Sequence, residues 1–212
     1  MRQLLLAVSL VLAPMGARAD TEAMGLALDA LAQGDMGLYA EAAGRIDDPI
    51  ALDILSWTRL RAGRGDWPEY IAFLDRNPDW PGLPYLRAQG EPSIPAGGEP
   101  AAIIAYFDGH PPTTGAGALA LALAHDAAGD RAAAEAEAIR AWTTLTMTGD
   151  EAVQLRAAFG DVLNTGTHHE DRLDHLLWEG AEERARAMAP LVSEGWQRLA
   201  EARLALRAQA AR

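Results

Sequence analysis

The chain has no cysteine. That excludes disulfides, thiol catalysis, zinc–thiolate sites and iron–sulfur clusters, so stability must come from packing alone. Beyond the first twenty residues, charges or prolines interrupt every apolar stretch before it nears the ~20 residues a membrane span requires. Basic residues are outnumbered, 18 against 30 acidic, and they form no cluster along the sequence. A net charge of −12 repels nucleic acid and anionic lipid. Few β-branched residues and no alternating apolar pattern argue against strands. Nucleophile signatures are missing too: there is no G-x-S-x-G elbow and no S-x-x-K, and Ser56, Ser93 and Ser193 have no histidine nearby in sequence.

What is present begins with an address. Arg2 gives a positive end, Leu4 to Ala13 is an apolar run, Pro14 breaks it, and Ala17-Arg18-Ala19 is a small-x-small cleavage site before Asp20. This is the layout of a secretory signal peptide over residues 1–19, with no lipobox cysteine for a lipid anchor. Cleavage there would remove Arg2 and Arg18 and take the formal charge from −12 to −14. The expected location of the mature chain is the periplasm.

The rest is helix-forming sequence, rich in Ala, Leu, Arg and Glu. It is punctuated by Gly-Asp at 34–35, 65–66, 129–130, 149–150 and 160–161. Gly tolerates the left-handed conformation that closes a helix, and Asp accepts from the free N–H groups that open the next. So short a connection folds the second helix back on the first. The clearest case is ALALALAHDAAGDRAAAEAEAIRAW, whose inward positions are mostly alanine and allow close helix approach.

Helices are expected over 21–33, 36–45, 49–62, 66–77, 81–89, 100–108, 114–128, 130–143, 150–159, 168–179, 181–189 and 193–210. The fold class that follows is all-α, a superhelical solenoid of antiparallel helical hairpins of tetratricopeptide-like kind. Residues 20–90 form N-terminal hairpins, the Pro/Gly-rich segment 91–99 a bend, and residues 100–212 the C-terminal hairpins.

Metal-ligand types crowd together at His168, His169, Glu170, Asp171, Asp174 and His175. On a helix Asp171 shares a face with His175 and with His168, but the order is not HExxH and no distant ligand completes a tetrahedral shell. Acidic residues opening a helix also suit its dipole. Glu135 with Glu137, or Glu182 with Glu183, could pair as acid and base, but they sit in charge-rich helix segments with nothing to bury them. The GAGALALAL stretch from Gly115 resembles a glycine-rich phosphate loop, yet it follows Pro111-Pro112 and not a strand. Six tryptophans, at 57, 67, 80, 142, 178 and 196, fit packing between hairpins better than sugar stacking. No catalytic, cofactor-binding or metal residue is assigned.

The segment from Trp67 to Arg87, WPEYIAFLDRNPDWPGLPYLR, resembles the helical N-terminal region of soluble lytic murein transglycosylases, in which a helix ending in a PDWP phrase leads into an L-x-x-L-R helix. The likeness continues through IIAYFDGHPPTTGAGALALALAHDAAGDRAAAEAEAIRAW, then FGDVL, HHEDRLDHLLWEGAEERARAMAPLV and GWQRLAEARLALR. It spans about Trp67 to Arg207. The resemblance implies a helical superhelix acting in peptidoglycan turnover, with glycan strands or an envelope protein as partner. The family's catalytic domain, with its Glu-Ser pair and Gly-Leu-Met-Gln phrase, has no counterpart here, so no catalytic residue is carried over. The chain is then a truncated or split gene product, or a divergent relative that kept the scaffold. The competing expectation is a non-enzymatic tetratricopeptide-like interaction module of the envelope.

Overall fold

The computed structural model describes residues 15–210, with the side chains of 20–209. Twelve α-helices and two 3-10 turns are found among the described residues, and no strand. No helix among them is long and apolar enough to cross a membrane. The expected all-α class is the one observed, with helices packed against their neighbours, consistent with a helical solenoid. Most of the proposed leader, 1–14, lies outside the described residues, while 15–19 open the first helix.

The chain divides into two compact units between Arg64 and Gly65. The first unit holds α1 (Met15–Gln33), α2 (Met36–Ala43) and α3 (Pro49–Arg61). Ala23, Ala27, Ala30 and Leu31 line one face of α1 and are buried against Tyr39, Ala42, Ile46 and Leu55. The i, i+4, i+7 spacing makes that face, and its small side chains let α2 come close.

The second unit runs through α4 (Trp67–Arg76), α5 (Leu83–Gly90), α6 (Pro100–Tyr106), α7 (Gly115–Ala127), α8 (Arg131–Thr144), α9 (Gly149–Leu163), α10 (Gly166–Glu179), α11 (Glu182–Met188) and α12 (Glu194–Ala210). α7 and α8 form the central hairpin, α8 also packs on α9 and α10, and α10 on α11 and α12. Ala118 and Ala122 meet Ala134, Ala138 and Ala141 in a core that α9 and α10 complete with Leu155, Phe159, Leu163, Leu173 and Leu176. Each buried leucine or phenylalanine contributes about 1.5–3 kcal/mol.

Gly34-Asp35 and Gly129-Asp130 work as expected: the glycines sit at φ 79° and 83°, and the aspartates accept from Leu38 N and Ala133 N. At Gly65-Asp66 the aspartate caps α4 in a reciprocal box with Glu69, while the left-handed residue is Gly63. The other two pairs are not junctions. Thr148 caps α9 with Gly149 already helical, and Gly160-Asp161 lies inside α9, which only kinks at Phe159 (φ −130°, ψ 22°). Phe159, the expected end of the helix over 150–159, leaves the helical region and is fully buried; the chain then resumes helical geometry through Gly160-Asp161 to Leu163.

The segment 91–99 lies within the second unit, and there Glu91 is only 3% exposed. Its Oε1 accepts from Thr113 N (3.0 Å) and Thr113 Oγ1 (3.1 Å), and its Oε2 from Thr114 N (2.7 Å) and Thr114 Oγ1 (2.6 Å). Thr114 Oγ1 in turn accepts from Gly117 N (3.1 Å), capping α7. Gly117 in the first turn of α7 thus lies against an anion, the protein's own carboxylate: a Cβ there would fall on the Glu91 side chain.

Candidate functional site

The histidine–carboxylate cluster does not converge. His169 is buried with its ring edge-on to Trp142 (5.9 Å between centroids), while Asp171 is exposed. Glu170 accepts from Ser193 Oγ (2.7 Å), Asp174 pairs with Arg203, and His168 Nδ1 lies 3.0 Å from Val162 O. No group of three or more His, Asp or Glu able to hold a metal ion occurs among the described residues. The acid–base candidates are ion-paired: Glu135 with Arg131 and Glu182 with Arg186, while Glu137 pairs with Arg140 and, against expectation, has a side chain only 11% exposed; Glu183 is exposed. Ser93 Oγ donates to Gly90 O.

The tryptophans divide. Trp67 and Trp142 are buried, and Trp196 is half-buried against the core of the second unit. Trp80 sets its edge on Phe73, and Trp57 is half-buried under Arg61. Trp178 is 70% exposed, with the Arg203 guanidinium over its ring.

What the fold does assemble is a hollow of about 430 Å³ in the second unit. α8 ends at Thr144, and its last carbonyls have no partner within the helix. The chain then turns through 145–148 before the Thr148–Glu151 capping box opens α9. This turn, with α9, α10 and α11, borders the open hollow. Trp142 forms the floor, and Leu176, Met188, Val153 and Leu191 supply apolar walls.

Three arginines reach the hollow: Arg156 from α9, Arg172 from α10 and Arg184 from α11. Arg172 is 3% exposed and stands 3.9 Å over the Trp142 ring centroid. Its Nη1 donates to Trp142 O (2.9 Å), meeting one of the unpartnered carbonyls of α8. Arg184 Nη1 donates to Met147 O (2.6 Å), and Arg156 Nη2 to Asn164 Oδ1 (3.3 Å). Each guanidinium carries five N–H donors, so most remain uncommitted. Burial pushes the Arg172 guanidinium down to about 10, and the positive charges of Arg184 and Arg156 push the same way. No acidic residue lines the hollow. His169, also beneath these charges, is lowered first by burial and then by Arg156, and its Nδ1 is buried without a hydrogen-bond partner.

Sequence reasoning missed this set because its members stand far apart along the chain. One signal was available: position 172 lies on the face of α10 that carries His169, Leu173 and Leu176, and an arginine on an apolar helix face marks a charge the fold must bury. Chemically the hollow offers planar cationic donors against apolar walls. No family model, no curated protein and no solved structure matches the chain.

Proposed function

We propose that this chain is the helical scaffold of a lytic-transglycosylase-type protein, exported to the periplasm, where it engages peptidoglycan glycan strands without cleaving them itself. One observation supports the reading above all. The phrases that carry the resemblance supply the tertiary contacts of the second unit. Trp67 of the first phrase packs on Tyr106 of the next, with ring centroids 4.4 Å apart. Tyr106 Oη donates to Arg87 O (2.9 Å) while Arg87 Nη1 donates to Tyr106 O (3.0 Å), which joins the L-x-x-L-R helix to the same aromatic. Burial, with Glu91 adding to it, raises the Tyr106 phenol above its ordinary range and keeps it a donor. Arg140, from the EAIRAW stretch, donates to Pro112 O (3.0 Å) of the HPPTTG phrase.

The test uses purified murein sacculi. Co-sedimentation of the chain with sacculi, and no release of anhydro-muropeptides, is the expected outcome. Failure to co-sediment overturns the glycan reading, and accumulation of anhydro products overturns the scaffold role. A fusion of residues 1–19 to a reporter active only after export tests the location. The exposed Trp178 and Leu206 favour the second reading, an envelope protein-interaction module. In that case the chain would stay in the supernatant of sacculi.

A further inference from the structure

Acidic residues outnumber basic ones 30 to 18 in this chain, so a cation in want of a counterion is out of keeping with its surroundings. Arg45, Arg131, Arg140, Arg186, Arg198 and Arg203 each meet a carboxylate within the protein. Arg172, the one buried arginine among the described residues, meets none, and neither do its neighbours Arg156 and Arg184. Burying a charge without a counterion is unfavourable, and like charges beside it make it more so. Cation–π contact with Trp142 and one carbonyl at the partly negative end of α8 offset part of that, but neither supplies a full negative charge.

The hollow in front of these groups is open and its walls are apolar; at about 430 Å³ it falls in the size range of small-molecule sites. Val153 at its rim is 68% exposed and Leu191 38%, an apolar lip beside the cationic floor. We propose that this pocket binds a small organic acid, its carboxylate held by Arg172 with Arg156 and Arg184 at the mouth, and its apolar body lying against Leu176, Met188 and Val153. A single anionic head fits better than a polyanion, whose further charges would be buried against the apolar walls. The proposal rests on the geometry of the second unit and is independent of the peptidoglycan reading.

Calorimetric titration of the full chain at low ionic strength, with octanoate, octanol and octylamine as probes, tests it. Octanoate saturates one site per chain, and octanol and octylamine bind at least tenfold more weakly. Arg172→Met weakens octanoate at least tenfold and leaves octanol unchanged, as does the double variant Arg156→Gln, Arg184→Gln. Should Arg172→Met fail to fold, the double variant decides alone, because both of its positions are exposed. The proposal is overturned if octanoate shows no saturable binding, if octanol binds as tightly as octanoate, or if the double variant binds octanoate like the parent.

Discussion

Glu91 offers the sharpest test of how the second unit is held together. Replacing it with glutamine keeps the size and removes the charge, and whichever way the amide turns, its NH2 faces the backbone N–H of either Thr113 or Thr114. Two donors then confront each other in a site where the parent side chain is 3% exposed. Leaving one buried donor unmet costs about 1–3 kcal/mol. Losing a carboxylate at the N-terminus of α7 costs about 0.3–1 kcal/mol more, and up to about 2 where the geometry is partly buried. We expect Glu91→Gln to lower stability by about 2–4 kcal/mol, with Glu91→Ala at or above that range because both threonine amides lose their acceptor.

The assay is urea unfolding followed by far-UV circular dichroism and tryptophan fluorescence, with amide exchange at Thr113, Thr114 and Gly117 as a local readout. Glu99→Ala is the control. Glu99 is an exposed cap accepting only from Ala102 N (2.7 Å), and its loss should cost about 0.5–1 kcal/mol. If Glu91→Gln lies within about 0.5 kcal/mol of the parent, or costs less than Glu99→Ala, the buried-carboxylate account is refuted.

Gly117→Ala should destabilise by about 1–3 kcal/mol despite the usual gain from alanine in a helix, because its Cβ would fall on the Glu91 side chain. Gly149→Ala, which has nothing within 4 Å of the added carbon, should be neutral or slightly stabilising under the same urea titration. His169 and His175 both have their basicity lowered, chiefly by burial, so the folded chain favours their neutral forms. The stability they contribute is present above the ordinary histidine value of 6.5 and is lost as pH falls below it. The urea midpoint should therefore drop between pH 7.5 and pH 5.5, and the double variant His169→Gln, His175→Gln should show a smaller drop; equal drops in the two proteins would refute the assignment.

The helices were legible in the sequence because their signals are local. Spacing of apolar residues, an aspartate or threonine at the start and a glycine at the end are all set within a few residues of one another, and the expected boundaries fall within a few residues of those observed except at the ends of α1 and α9. Alanine-lined hairpin faces were readable for the same reason. The function of a Gly-Asp pair was not: identical dipeptides close one helix for a hairpin at Gly129 and only follow a kink in α9 at Gly160, where the backbone leaves the helical region at the buried Phe159 and then resumes it. Nor could composition show that Glu91, in a stretch resembling a solvent loop, would be drawn in to cap a helix more than twenty positions away.

The arginine pocket lies at the far end of that scale. Sequence determined the charge of each arginine and the helix it stands on. Only tertiary packing brought positions 156, 172 and 184 around one hollow and kept every carboxylate out of its lining, because the distance between residues on different helices depends on how the hairpins stack and not on their order in the chain.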